Sequence, residues 1–289
     1  MFSNRSQTFS SIYVSNLSLY IIMEWRINMP QVRKMIRNQS NELHPFWKIL
    51  RVTLIFFTGL FILAFLANRT PIPGLSKYVL HPAMFLASVI CTCVLEKKRL
   101  SYIGLVPILG NMKRFFSGFI VFFLNSCIIA FFTYLLGYWN LPKDFLHTLA
   151  SPVIWQGLFY WLVVVLGEEV LFRGYLISVF ENKWIGIFWS SLIFSAVHLL
   201  NPEYTLGAFV VAFIVGLLLG YIRMITGNLW MGIGCHLANN WFQGTIFQLP
   251  YAGEYMVAGV MLLNIIIFYR LNKRKRRRLL IGDSSHERA

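Results

Sequence analysis

Eight apolar stretches, each of about the length needed to cross a lipid bilayer, constrain the fold of this 289-residue chain more than any other feature. The stretches are 49–67, 78–95, 115–136, 152–181, 184–200, 205–222, 229–249 and 255–269. A helix needs about 20 apolar residues to span roughly 30 Å of hydrocarbon. Only 13% of the residues are charged, against about 25% in an average soluble protein. The sequence therefore predicts an all-α, polytopic membrane protein with about eight transmembrane helices.

The positions of these stretches divide the chain into three predicted parts. A basic cytoplasmic segment, 1–47, precedes the transmembrane domain, 48–269, and a basic cytoplasmic tail, 270–289, follows it. The fourth stretch, 152–181, is longer than the others and predicts either one tilted helix or a helix broken at Gly167.

The formal net charge of +15 does not indicate a nucleic-acid-binding protein. Basic residues collect in short loops and at the chain ends, as the positive-inside rule predicts, and the sequence has no aromatic and basic recognition module. This pattern predicts that both termini are cytoplasmic and that the basic tail contacts membrane lipids. The four cysteines lie in apolar stretches and indicate neither a disulfide framework nor a zinc motif.

Two adjacent carboxylates, Glu168 and Glu169, lie inside the fourth apolar stretch. A charged side chain at membrane depth costs about 2.5–3.5 kcal/mol even on a lenient scale, so such residues usually have a function. Glu169 and Arg173 are four residues apart on one helix face, which predicts an ion pair. Glu168 points about 100° away from that face. We expect it to have no adjacent counter-charge, and it is the candidate general base.

Two histidines, His198 and His236, also lie within apolar stretches. The turn between the fourth and fifth stretches lies near Lys183, midway between Glu168 and His198. In an antiparallel helical hairpin, these two side chains would lie at the same depth, about 22 Å along each helix from the turn. The equal depth predicts that the Glu168 carboxylate and the His198 imidazole share one water molecule. The structural alternative is a role in packing, which is more common for a single buried histidine.

His236 precedes Asn240 by four residues, so the two side chains share a helix face. An imidazole N–H and a carboxamide N–H that point in one direction suit an oxyanion hole. Hydrogen bonding between helices is the structural alternative for this pair. Glu168, His198 and His236 could also form a three-ligand zinc site.

These residues form three short motifs in a fixed order along the chain. They are EExxxR at Glu168, Glu169 and Arg173, FxxxH at Phe194 and His198, and HxxxN at His236 and Asn240. In this combination, the sequence resembles the CPBP group, which comprises the type II CAAX prenyl endopeptidases and the bacteriocin-processing or Abi-type membrane proteases of bacteria. The resemblance covers about residues 150–245, which we take as the protease core.

The resemblance implies a role for each of the four candidate catalytic residues. Glu168 would activate a water molecule with the help of His198. His236 and Asn240 would stabilise the tetrahedral oxyanion of the scissile peptide. The implied mechanism is glutamate-dependent and uses no metal cofactor, with zinc at Glu168, His198 and His236 as the less favoured alternative.

The same resemblance implies that Glu169, Arg173 and Phe194 support the site structurally. It also implies a location in a bacterial plasma membrane. The expected function is cleavage within the membrane of a membrane-associated or CaaX-like peptide, or of a lipidated protein.

Two other classes of membrane protein fit parts of the pattern. A non-catalytic immunity or scaffold protein could retain the protease fold, but the intact Glu168 disfavours it. A proton-coupled carrier that uses Glu168 and Glu169 is disfavoured because the sequence shows no internal repeat.

Overall fold

The computed structural model describes residues 36–37, 42–72, 74–141, 145–202, 204–249 and 254–286. Contacts divide the chain into two units, Met1–Arg51 and Val52–Ala289. In the first unit, Lys48 Nζ donates a hydrogen bond to Glu42 Oε2 at 2.8 Å. Most of the predicted N-terminal segment, and the side chains of the basic tail after Arg274, lie outside the described residues.

Nine α-helices follow one another in the described part of the chain, which contains no strand. They are α1 (Pro45–Ala67), α2 (Leu80–Val89), α3 (Met112–Leu135), α4 (Phe145–Ala150), α5 (Val153–Glu168), α6 (Lys183–His198), α7 (Leu206–Thr226), α8 (Trp230–Asn240) and α9 (Glu254–His286). The predicted all-α fold is therefore confirmed.

Four helical segments among the described residues are long and apolar enough to cross a membrane. They are Pro45–Ala67, Leu109–Leu135, Val153–Leu176 and Leu206–Thr226. The apolar helix Leu80–Leu95 is shorter, and α6 has 16 residues, a length of about 24 Å. Each of the eight predicted stretches overlaps one of these α-helices. The chain is an integral membrane protein, and the number of eight crossings stays a prediction.

Local sequence sets the ends of the helices around the cavity described below. The Asn182 side chain begins α6, where it accepts a hydrogen bond from the Trp184 backbone N–H at 2.9 Å. The Thr205 hydroxyl begins α7 in the same way through the Ala208 N–H at 3.0 Å. Gly227 ends α7 with a φ of 74°, a left-handed conformation that glycine adopts at little cost.

In the described chain, three π-helical segments extend α2, α5 and α8. They are Ile90–Leu95, Glu169–Leu176 and Trp241–Ile246. Short π-helical turns are rare within α-helices, and those that do occur often lie at functional sites. Two of the three begin directly after candidate catalytic residues, Glu168 and Asn240. The hydrogen-bond register of both helices therefore changes next to the predicted site.

The helix that begins at Val153 continues through Gly167, so the predicted alternative of a break there is wrong. Gly167 has a packing role instead, because a Cβ atom at this position would collide with the backbone carbonyl of His81. The missing side chain allows the first turn of α2 to lie against α5. This close approach brings His81 next to Glu168.

Glycines also bring α3 and α8 together. A Cβ atom at Gly118 would collide with the Met231 carbonyl, and one at Gly234 would collide with the Phe115 carbonyl. Small residues allow two membrane helices to approach until their backbones touch. This contact fixes the position of α8, which carries His236.

Candidate active site

A cavity of about 880 Å³ lies between the helices of the second unit. The four predicted catalytic residues line it: Glu168, His198, His236 and Asn240. Glu168 ends α5, His198 ends α6, and the other two lie on α8. The structure thus places four residues from three helices, which are separated in sequence, around one cavity.

Glu169 is the buried centre of a charged network beside the cavity. Its Oε1 atom lies 3.1 Å from Arg173 Nη1, so the ion pair that the four-residue spacing predicts is present. The same oxygen lies 2.9 Å from His236 Nδ1. The three side chains are at most 6% exposed, and such interactions are stronger away from water.

Glu169 also determines how the His236 ring is oriented. An ionised carboxylate only accepts hydrogen bonds, so His236 Nδ1 carries a proton and donates it to Glu169. The other ring nitrogen, Nε2, lies 3.5 Å from Glu168 Oε2. His236 therefore connects the two adjacent carboxylates.

Glu168 has two imidazole neighbours, His236 and His81. His81 Nε2 lies 3.7 Å from Glu168 Oε1, a neighbour that the sequence did not predict. Spacing along one helix predicts contacts within that helix, whereas His81 comes from α2. In the sequence, His81 is a single histidine near the start of the second apolar stretch, outside all three motifs, so no motif marks it as a site residue.

His198 is half-buried and also lines the cavity. Its Nδ1 atom lies 2.7 Å from the Phe194 carbonyl oxygen, one helical turn earlier. Because a carbonyl accepts, Nδ1 donates this hydrogen bond, and Nε2 of the neutral ring is an acceptor. His198 and Glu168 line the same cavity, and their equal depth stays a prediction.

Phe194 contacts three polar side chains of the site. The Cζ atom of Arg173 lies 4.0 Å from the centre of the phenyl ring, within cation–π distance. The rings of His198 and His236 pack edge-on against Phe194, with centroid distances of 4.5 and 6.2 Å. Phe194 is 3% exposed, so it fills the space between the two imidazoles and the guanidinium.

Three amide side chains line the cavity at the end of α8: Asn239, Asn240 and Gln243. Gln243 Nε2 donates to Asn239 Oδ1 at 2.7 Å, and Asn239 Nδ2 donates to Asn240 Oδ1 at 3.2 Å. Only Asn240 belongs to a motif, and the other two were not predicted from the sequence. The four-residue spacing between Asn239 and Gln243 was the available signal, because it places both on one helix face.

The zinc alternative needs three ligands directed at one point. Within the described ranges, no group of three or more His, Cys, Asp or Glu side chains could hold a metal ion. Zinc at Glu168, His198 and His236 stays the less favoured alternative, and the mechanism proposed for this chain uses no metal.

Residues 150–242 match the family model of the Rce1-like type II CAAX prenyl endopeptidases. This segment is therefore similar to the Rce1-like domain. It covers about a third of the chain and contains all three motifs. A search of curated proteins finds no match to the chain.

This match confirms the predicted resemblance to CPBP intramembrane proteases. The family that the segment resembles consists of CAAX-type endopeptidases. Several cavity-lining residues lie outside the matched segment, among them His81, which precedes it, and Gln243, which follows its last residue.

Proposed function

We propose that this chain hydrolyses a peptide bond of a membrane-associated or CaaX-like substrate, with a water molecule activated by Glu168. The observation that carries the proposal is that Glu168, His198, His236 and Asn240 line one cavity. A carboxylate, two imidazoles and an amide are the functional groups that general-base catalysis and oxyanion stabilisation need.

In this mechanism, the water molecule binds between Glu168 and His198. The neutral His198 ring accepts one hydrogen bond from water at Nε2, because its Nδ1 proton is donated to the Phe194 carbonyl. Glu168 takes the other proton of water as the water oxygen attacks the scissile carbonyl carbon. The protonated Glu168 then gives this proton to the leaving nitrogen as the C–N bond breaks, and the last water proton leaves with the new carboxyl group.

The charge of the buried cluster explains how His236 could donate to the oxyanion. Glu168, Glu169 and Arg173 together carry one net negative charge, and a buried net charge is costly. In the proposed state, a second proton on His236 neutralises the cluster and makes Nε2 a donor. This N–H and the Asn240 Nδ2–H would then stabilise the negative oxygen that forms when water attacks.

The apolar walls of the cavity support a hydrophobic or lipidated substrate. They include the side chains of Phe56, Phe57, Leu60, Met84 and Trp161. Each buried CH₂ group contributes about 0.8 kcal/mol to transfer out of water, so a lipid chain could supply much of the binding free energy.

Cleavage of a farnesylated CaaX peptide by the purified chain in lipid nanodiscs tests this proposal. Wild-type protein should cut the peptide at one bond, as read by mass spectrometry, and Glu168→Gln should cut it about 1,000-fold more slowly. The same peptide without the farnesyl group should be cut at the same bond with a higher KM. If folded wild-type protein cleaves neither this pair nor a library of membrane-anchored peptides, the non-catalytic immunity or scaffold alternative is favoured.

Removing either proposed oxyanion donor should act on the transition state. Asn240→Ala and His236→Ala should each lower kcat about 100- to 1,000-fold with little change in KM. A chelator should leave wild-type activity unchanged. Stoichiometric zinc in the active protein, lost together with activity in His236→Ala, would contradict this prediction and indicate a metalloprotease.

The loop charges support an orientation with both termini in the cytoplasm of a bacterial cell. Reporter fusions at residues 140 and 203 should report the external side, and a fusion at residue 285 should report the cytoplasm, because basic loops stay inside. Alkaline phosphatase and fluorescent-protein reporters distinguish the two sides in a bacterial plasma membrane. A cytoplasmic signal at either of the first two positions would contradict the orientation.

A further inference from the structure

We infer that Asn239 and Gln243 are positioning residues that determine which end of the Asn240 carboxamide faces the substrate. The inference rests on the proposed function, in which Asn240 donates to the oxyanion. It assigns a role to two side chains that no motif contains.

The three amides form a directed chain of hydrogen bonds along the cavity wall. Gln243 Nε2 donates to Asn239 Oδ1 at 2.7 Å. With its oxygen directed at Gln243, the Asn239 amide directs Nδ2 at Asn240 and donates to Asn240 Oδ1 at 3.2 Å. Asn240 accepts this bond with its oxygen, so Nδ2 is the end of its amide that remains to donate into the cavity.

An orienting partner matters because an asparagine amide has nearly the same shape when it rotates by about 180°. In the rotated form, Asn240 would direct the lone pairs of Oδ1 at the oxyanion and repel it. Gln243 and Asn239 oppose this rotation, because it would place two amide nitrogens against each other. The geometry of the chain comes from α8 and its π-helical extension, since Gln243 lies in the segment Trp241–Ile246.

Gln243→Glu tests the direction of the chain. An ionised carboxylate cannot donate, so Asn239 would rotate to donate to it, and Asn240 would rotate to donate to Asn239. Asn240 Oδ1 would then face the cavity. We expect kcat to fall about 100-fold with little change in KM, whereas Gln243→Leu, which removes the donor without reversing the chain, should cost only about tenfold.

A double-mutant cycle separates this effect from the negative charge itself. Asn239→Leu cuts the chain, so adding Gln243→Glu to Asn239→Leu should cause little further loss. An equal loss from Gln243→Glu in the presence and absence of Asn239 would show that the charge acts through space, and it would overturn the inference. Wild-type kinetics for Gln243→Glu from about pH 6 to pH 9, where a glutamate of ordinary pKa is ionised, would overturn it as well.

Two controls keep the experiment interpretable. Melting curves in detergent identify variants that do not fold. If Gln243→Glu does not fold, Asn239→Asp replaces it, because this substitution reverses the hydrogen bond to Asn240 directly. Asn239→Asp should lower kcat about 100-fold. Asn239→Asp with wild-type kinetics would overturn the inference. A wrong inference and a wrong proposed function give different results. If the proposed function is wrong, wild-type protein itself cleaves no peptide.

Discussion

Replacing Glu168 with Gln should lower kcat about 1,000-fold, within the range of 100- to 10,000-fold that general acid–base catalysis contributes. Gln keeps the shape of the side chain and can still contact His81 and His236, but it cannot take a proton from water. The measurement is the rate of peptide cleavage under single-turnover conditions in nanodiscs. KM should change little, because the carboxylate acts on water and not on the substrate.

The melting temperature of Glu168→Gln should stay close to that of wild-type protein. Glu168 faces the cavity, and its two imidazole contacts, at 3.5 and 3.7 Å, are longer than direct hydrogen bonds. If this variant retains wild-type turnover, Glu168 is not the base. A loss of folded protein equal to that of Arg173→Ala would contradict the division of roles between the two adjacent glutamates.

Arg173→Ala should lower the free energy of unfolding by about 3–5 kcal/mol, the cost of removing one partner of a buried ion pair. The Arg173 side chain is 1% exposed, lies 3.1 Å from Glu169 Oε1 and contacts the Phe194 ring. Without it, Glu169 keeps a buried negative charge beside the His236 ring. Equilibrium unfolding in detergent measures the change.

Arg69→Ala is the matched control for this substitution. Arg69 is exposed, and its guanidinium also lies over an aromatic ring, 4.8 Å from the centre of Phe65. Its removal should cost less than about 1 kcal/mol, as expected of an exposed cation–π contact. Similar losses in the two variants would mean that burial and the Glu169 pair contribute little to the effect at Arg173.

Features that depend on one helix were predictable from the sequence. The apolar stretches predicted the all-α membrane fold because backbone groups in a bilayer must be satisfied within a helix. The four-residue spacing predicted the contact between Glu169 and Arg173. These interactions need only the helical repeat, which the order of residues already contains.

Features that depend on packing between helices were not predictable in this way. His81 reaches Glu168 because Gly167 lets two backbones touch, and no spacing within α5 encodes a contact with α2. The π-helical segments after Glu168 and Asn240 change the hydrogen-bond register without a distinct residue pattern. The four-residue spacing of Asn239 and Gln243 can be read from the sequence. The direction of their hydrogen bond cannot, because it depends on how the oxygen and nitrogen of each amide are oriented.

The origin of the oxygen atom in the new carboxyl group tests the central claim most directly. Wild-type protein in nanodiscs is mixed with a limiting amount of farnesylated peptide in ¹⁸O-labelled water, and mass spectrometry follows a single turnover. Water activated by Glu168 predicts one ¹⁸O atom in the new carboxylate of the product and none in the Glu168 side chain. Unlabelled product with ¹⁸O in Glu168 would indicate a covalent intermediate, and no product from folded wild-type protein would contradict the endopeptidase function itself.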